Sequence, residues 1–506
     1  MTFTRVYTLL FLILCLFGCS ENKTEIENGS ISKKKPNILL LIVDDLRPEL
    51  GCYGNKNILS PNIDKLANEG ILFNNAYTQQ PICMASRASF FTGYRPDYAD
   101  LHRGGSVKKQ IPEAITVNKH FEKQGYSTWA TGKVYHYGED NVEQFGSQYV
   151  SANVLGRYLT SVAIAQVKEY AIGYDELRPN DAGSKGKGPA YEAADVPDSA
   201  YIDGALTNLA VSQIEEFGKN KKPFFMAIGF RKPHLPFNAP KKYWDKYNVE
   251  EMELADNPFL PNGANEYTKY NFNELRNYYG IPKDNNVLPD DLSQKLIHGY
   301  YACISYIDAQ VGKVLDELER QNLRENTIVL LMGDHGWKLG EHGMWAKHTP
   351  FELDCRVPLI ISAPELKNRG IKTDAMCELI DIYPTLCELS DLNIPKHVEG
   401  NSMLPFLKNP TNKWKEAVFT QTTKHARAKQ EPEKVTTGYS VKTKRYRYTE
   451  WTLHQNREVL AIELYDHQKD PKENENIANL PGNELLVSEL SKLLQNGQGW
   501  RNVQPL

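Results

Sequence analysis

Two pairs of ionisable residues in this chain are placed where they could do chemistry. Asp44-Asp45 and Asp334-His335 each stand directly after a short apolar run. Adjacent carboxylates at a partly buried rim repel each other unless a cation neutralises them. Hard oxygen ligands of this kind suit Ca2+ or Mg2+. One such pair alone reads as a solvated turn; two pairs, each just past a strand-like run, read as a metal site. A second group is Pro81-Ile82-Cys83-Met84-Ala85-Ser86-Arg87, which runs into Ala88-Ser89-Phe90-Phe91-Thr92-Gly93. A cysteine ahead of a helical run meets backbone N–H groups that favour negative charge, and Arg87 can reach back along the same face. On these residues alone a buried thiol with an unrelated arginine is an equal reading. A third group is basic: Lys133 and His136, Lys232 and His234, Lys347 and His348. Lysine and histidine together hold anions and move protons. Singly, each reads as a surface lysine or a hydrogen-bonded histidine.

These residues need a frame. Residues 37–43, 224–229, 327–332 and 358–362 have the length and aliphatic content of buried strands. Between them, 205–217 and 296–318 repeat apolar residues at helical spacing, with Asp203 at the expected cap of the first. Alternating strands and helices imply a mostly parallel sheet covered on both faces, whose ligands bind beyond the carboxyl ends of the strands. That rule sends Asp44-Asp45, Arg231 to His234 and Asp334-His335 to one rim. After about residue 410 the pattern changes to short strands, near 418–420, 439–443, 446–452 and 460–465, with a helix at 484–494. The expected architecture is α/β: a large domain with a mostly parallel sheet flanked by helices over 36–410, and a smaller α+β domain with an antiparallel sheet over 411–506. Residues 173–189 read as a Gly-rich surface loop.

Composition bounds the function. The chain has 506 residues with 41% hydrophobic and 24% charged, which excludes a mostly disordered or collagen-like chain. Its formal net charge of −4 lacks the basic excess of a general nucleic-acid binder. Arg5 and the apolar run after it, too short to span a bilayer, read as a signal peptide over 1–18. Leu16-Phe17-Gly18-Cys19 resembles a bacterial lipoprotein signal, with Cys19 lipidated and 19–35 serving as a flexible tether. The expected location is therefore outside the cytoplasm: an outer-membrane lipoprotein facing the periplasm or cell surface, or a periplasmic or secreted protein if Cys19 stays unlipidated. The other cysteines lack zinc-finger spacing and read as buried filler around one special residue, Cys83.

The segment Cys83-Met84-Ala85-Ser86-Arg87 followed by Thr92-Gly93-Tyr94-Arg95-Pro96 resembles the signature of the type I sulfatases. The order Asp44-Asp45, Cys83, Lys133/His136, His234, Asp334-His335, Lys347 is similar to that family throughout. The segments around Gly333 to Lys347 and Lys232 to Phe237 most resemble its iduronate-2-sulfatase branch. The resemblance runs from about Pro36 to Leu464-Tyr465-Asp466 and Asp470-Pro471. It implies an alkaline-phosphatase-like fold and a sulfuric ester hydrolase whose Cys83 is converted by a maturation enzyme to formylglycine. It implies that Asp44, Asp45, Asp334, His335 and modified Cys83 bind one divalent cation, Ca2+ in the first place and Mg2+ in the second. Arg87 would hold the formylglycine oxygens, Lys133 and Lys347 the sulfate, His136 would be the base for sulfate elimination and His234 the acid for the leaving oxygen. Ala85 stands where the motif often has proline, and His335 where many members have asparagine.

The implied substrate is a sulfated, uronate-containing glycan, either an ulvan-type algal polymer or an iduronate-2-sulfate glycosaminoglycan. No nucleic-acid partner is expected, and membrane contact only through the N-terminal lipid. The alternatives are a phosphoester or phosphonate hydrolase on the same fold, which usually carries Thr or Ser as nucleophile and a second metal, and a non-catalytic glycan-binding lipoprotein.

Overall fold

Strands buried on both faces occupy the centre of the computed structural model, which describes residues 34–497 apart from 155, 178–186, 270–273, 285–286, 411, 413 and 425–433. The expected signal peptide, Cys19 and nearly all of the tether lie outside the described residues, as does the middle of the Gly-rich stretch. The start of that stretch is not a loop: the helix Ser161–Leu177 carries through Gly173, since one glycine costs a helix only about 1 kcal/mol.

In chain order the strands are β1 (Asn37–Val43), β2 (Ile71–Tyr77), β3 (Ser127–Gly132), β4 (Tyr149–Val150), β5 (Tyr191–Ala194), β6 (Phe224–Phe230), β7 (Phe237–Pro240), β8 (Thr327–Gly333), β9 (Arg356–Ser362), β10 (Ile371–Glu378), β11 (Ala417–Lys424), β12 (Thr436–Thr443), β13 (Tyr446–Leu453) and β14 (Val459–Asp466). The main sheet has the order β10-β2-β9-β8-β1-β6-β3-β4. All its pairings are parallel except those of β9 with β8 and β2. Leu39, Leu41 and Val43 of β1 face one apolar core, and Ile38, Leu40 and Ile42 face the other. This two-sided burial is why the strand reads as an unbroken apolar run. The helices Ile202–Asn220 and Asp290–Arg320 cover the first face. Asp203 does not cap its helix, where Tyr201 holds that place; its buried carboxylate instead accepts from the amides of Arg231 (2.7 Å) and Lys232 (3.3 Å).

Strands β11 to β14 form an antiparallel meander, and Leu490 and Leu494 of the helix Glu484–Asn496 pack on it. The described residues from Lys35 onward belong to a single compact unit. A buried arginine ties the meander to the larger part: Arg447 of β13 pairs with Glu352 (2.5 Å) and with Glu473 (2.8 Å).

Candidate active site

Register brings the site together. Val43 lies opposite both Phe230 and Gly333, so β1, β6 and β8 end at one level. The Asp44 amide donates to Phe230 O (3.3 Å) and the Asp334 amide to Val43 O (3.1 Å). The residues after all three strands therefore emerge side by side, as the sheet rule requires. Strand β3 adds Lys133 beside them. Its last residue, Gly132, has φ +77°, and a Cβ there would stand 2.2 Å from Gly229 O, so only glycine allows this close crossing. Asp45 also takes a left-handed backbone, φ 58°. It is held there by Tyr300, whose hydroxyl donates to Asp45 O at 2.7 Å, and by its own amide, which donates to Asp334 Oδ1 at 3.2 Å. Such strain persists only where the surroundings fix it, and it turns the Asp45 side chain into the site.

Cys83 is the first residue of the helix Cys83–Thr92 and is 3% exposed. Its Sγ lies 3.2 Å from His335 Nε2 and 3.5 Å from Lys347 Nζ. Burial and the Asp44 carboxylate oppose ionisation of this thiol, yet Lys133, Lys347 and His335 outweigh them and bring it below its ordinary range. Arg87, on the next turn, is fully buried. Its Nε donates to Asp334 Oδ2 at 2.8 Å, its Nη1 to the carbonyls of Lys133 and Val134, and its Nη2 lies 3.7 Å from Asp44. The helix is pinned by Ser86 Oγ, which donates to Asp334 O at 2.6 Å.

Lys133 Nζ donates to Asp44 Oδ2 at 2.5 Å, and Lys347 Nζ to Asp45 Oδ1 at 2.6 Å. Burial raises the Asp44 carboxyl, but Lys133, His234, Arg87 and Lys347 together hold it well below its usual range. Burial wins at Asp45, which rises to about 6 despite Lys347. His335 rises to about 9: burial opposes its charge, and Asp334 and the Cys83 sulfur overcome that. The loop carrying Lys347 is braced by buried Lys338, which donates to Asp354 Oδ1 and Thr349 Oγ1 at 2.6 Å each, and by Arg47, which holds Glu341 at 2.7 Å.

Donor atoms of Asp44, Asp45, Cys83 and His335 all lie within 4.8 Å of one another. Asp44 Oδ1 and Asp45 Oδ2 are buried without a hydrogen-bond partner. Two orphaned carboxylate oxygens at such depth fit a cation, and an oxygen-rich set fits a hard one. Asp334 stands beside this group, but Oδ2 accepts from Arg87 and Oδ1 accepts from the amides of Asp45 and His335.

His234 and His136 border a cavity of about 510 Å3 that also reaches Asp44 and Lys133. His234 Nδ1 faces Leu235 O at 2.7 Å, which leaves Nε2 for chemistry. That nitrogen lies 3.1 Å from Glu274 and 4.0 Å from Asp45. Burial lowers its pKa; Glu274 and Asp45 work in the opposite sense. His136 sits at the exposed rim. Desolvation and, after it, the charge of Lys133 lower its pKa, which leaves the ring a neutral acceptor at pH 7. All the expected site residues thus meet at one rim. Arg231, which the strand rule sent to this rim, lines the same cavity, and so do Glu274, Arg157 and Lys187, which the sequence did not single out. Those three lie in segments without periodicity or motif, so no local pattern marked them.

The remaining described cysteines, Cys52, Cys303, Cys355, Cys377 and Cys387, are buried and unpaired. Burial, above all, raises the pKa of each, so Cys83 alone among them leans toward the thiolate.

Comparison with known proteins agrees with this geometry. Residues 36–392 match the sulfatase family model, and residues 340–499 match that of the N-sulphoglucosamine sulphohydrolase C-terminal region. The chain is 32% identical to iduronate 2-sulfatase of Mus musculus, over 89% of this chain and 92% of that protein. It is 30% identical to a sulfatase of Formosa agariphila (94% and 89% covered) and 26% identical to an ulvan-active sulfatase of the same organism (96% and 85%). Among solved structures, the fold is similar to the phosphonate monoester hydrolase of Agrobacterium radiobacter, TM-score 0.69 at 20% identity over 91% of this chain and 95% of that one. A protein solved with its substrate D-glucosamine-2-N,6-O-disulfate gives TM-score 0.69 at 20% identity over 93% and 99%. The fold is alkaline-phosphatase-like, and the chain belongs to the sulfatase family of hydrolases acting on sulfate esters.

Proposed function

We propose that this enzyme removes sulfate from a sulfated, uronate-containing glycan, through a formylglycine made from Cys83. The carrying observation is the setting of Cys83. A buried cysteine opens a helix within reach of Lys347 and His335, close to two carboxylate oxygens without a hydrogen bond, and the cavity that reaches Asp44 next to it is lined by Lys133, Arg157, Lys187 and Arg231. An anionic substrate suits that lining.

In this reading Cys83 Sγ marks the place of the hydrated formylglycine. One hydroxyl would release its proton to solvent and form a bond to sulfur as the bond from sulfur to the sugar oxygen breaks. His234 Nε2 gives its proton to the departing sugar oxygen. Burial biases this imidazole toward neutrality, and Glu274 is the neighbour that keeps a proton there. Lys133 and Lys347 take the sulfate oxygens, where charge must be stabilised during transfer. The second hydroxyl then loses its proton to His136, the carbon–oxygen bond to sulfate breaks, and the aldehyde returns, to be hydrated again. Asp44, Asp45, His335 and the modified Cys83, with Asp334 beside them, would hold the divalent cation, Ca2+ in preference to Mg2+. When bound, such an ion polarises sulfate oxygens and makes the diol more acidic. Arg87 neutralises Asp334 and Asp44 and fixes the helix that presents Cys83.

Similarity to iduronate 2-sulfatase and to an ulvan-active sulfatase supports a uronate-containing substrate of either origin. The signal read at Arg5 to Cys19 supports action outside the cytoplasm, after export and maturation. The test is sulfate release from a panel of glycosaminoglycans, ulvan and their lyase-made oligomers, by protein co-expressed with a formylglycine-generating enzyme. Release from a uronate-containing polymer or its oligomers is expected. Release only from sulfated glycans lacking uronate would overturn the substrate assignment, and release of phosphate or phosphonate products alone would overturn the sulfatase chemistry.

A further inference from the structure

A second cluster of metal-binding side chains lies away from the machinery just described. Asp100, His102 and His454 each offer a ligand atom within 4.8 Å of the other two. His102 is 2% exposed, and its ring centroid is 4.4 Å from that of His454. A protein oxygen orients each of the two rings. His102 Nδ1 faces Pro96 O at 3.4 Å, and His454 Nδ1 faces Thr437 Oγ1 at 3.0 Å. With Nδ1 tied to a protein oxygen, each imidazole is left with Nε2 for a ligand. Asp100 Oδ1 lies 4.0 Å from His102 Nε2.

Two close, largely buried imidazoles beside a carboxylate can share one cation. Arg103 serves part of that role now. Its Nε donates to His102 Nε2 at 3.3 Å and lies 3.9 Å from Asp100 Oδ2. Its side chain is 24% exposed, so solvent lies on its outer side. The nearby Asp97 is already engaged: it accepts from Gln421, Tyr439 and Arg457. Two imidazoles and one carboxylate form a nitrogen-rich set that selects a borderline metal over Ca2+ or Mg2+.

We propose that Asp100, His102 and His454 form a zinc site that clamps the 97–103 segment of the large domain to the turn after β13 in the C-terminal sheet. Zinc replaces Arg103 at His102 Nε2, and water completes the coordination. The clamp lies close to the nucleophile in the chain: Gln80, three residues before Cys83, donates to His102 O at 3.4 Å. The site is independent of the sulfatase reading, since none of its ligands belongs to the catalytic cluster.

The test is equilibrium dialysis of the whole protein against Zn2+ in calcium-containing buffer, with bound zinc measured by elemental analysis. The wild type should retain one zinc more than the His102→Gln/His454→Gln variant. Asp100→Asn should weaken that zinc by about tenfold or more, and Arg103→Gln should bind it at least as tightly as wild type. Zinc should raise the melting temperature of the wild type and leave that of the double variant in place. Sulfate release in zinc-free buffer should be equal in both. Equal zinc in wild type and double variant, or no zinc retained by the wild type, overturns the proposal. If the double variant does not fold, Asp100→Asn, at a residue 44% exposed in its side chain, decides: undiminished zinc affinity there counts equally against it.

Discussion

Replacing Lys347 by methionine separates its charge from its packing. Lys347 is 2% exposed. Its Nζ is 2.6 Å from Asp45 Oδ1, 3.5 Å from Cys83 Sγ, 3.8 Å from Glu274 and 5.3 Å from the centre of the Trp337 ring. Methionine keeps the stem against Trp337 and removes only the cation. In the proposed mechanism that cation meets charge growing on the sulfate. Loss of one such donor in a water-poor site costs about 2.7–4 kcal/mol, or ~10²–10³ in kcat. The stability cost should be smaller than the about 3–5 kcal/mol typical of a broken buried ion pair. Asp45 already sits near 6, and without Lys347 it moves higher and takes up a proton, so its lone charge does not stay buried. The assay is steady-state sulfate release with kcat and KM measured separately, beside urea unfolding at pH 7 and pH 5. The unfolding deficit of Lys347→Met should shrink at pH 5. A fall in kcat/KM of less than about tenfold, with Cys83 fully converted, would refute the role given to Lys347.

Other perturbations have equally definite outcomes. Asp45 has a folded pKa, about 6, above its unfolded value, so in metal-free protein its contribution to stability is complete below the unfolded pKa and is lost as pH rises through about 6. Cation binding needs the carboxylate form, so cation affinity should fall about tenfold per pH unit below that point; a flat calorimetric titration between pH 7 and pH 5 would contradict this. Chelation should abolish sulfate release and Ca2+ restore it, while Asp44→Asn should need at least about tenfold more Ca2+ for half activity. Glu274→Gln removes the neighbour that favours a proton on His234, so the alkaline limb of the kcat profile should move to lower pH; an unmoved limb would free Glu274 of that role. Arg447→Leu removes the buried cation between Glu352 and Glu473, which keep His467, Tyr77 and Arg356 as neighbours, and should cost up to about 3 kcal/mol in urea unfolding.

The sequence was most readable where burial and chemistry share a short segment. Strands β1, β6 and β8 are buried on both faces and so appear as apolar runs with the functional residues directly behind them. Strand β2 was missed because Asn74 and Asn75 interrupt it, and β10 because Lys372, Thr373 and Asp374 lie on a partly exposed edge. The antiparallel direction of β9 depends on how the chain returns after the Lys347 loop, which no local pattern encodes. The residues assigned to the proposed mechanism were legible because several follow a strand directly, as Asp44, Asp45, Lys133, Asp334 and His335 do, while Cys83 and Arg87 share the opening of one helix. Glu274, Arg157 and Lys187 were not, because they reach the cavity from irregular segments whose course is set by tertiary packing. Asp203 shows a related limit: a carboxylate near a helix start looks like a cap, yet this one turns toward the amides before His234.

The central claim is that formylglycine made from Cys83 is the nucleophile. The most direct test uses preparations with graded maturation, made by varying the maturation enzyme, with conversion at residue 83 quantified by peptide mass spectrometry. Specific sulfate release should rise in proportion to conversion and pass through zero for unconverted protein and for Cys83→Ala. Release that persists in unconverted protein, or that does not follow conversion, would contradict it.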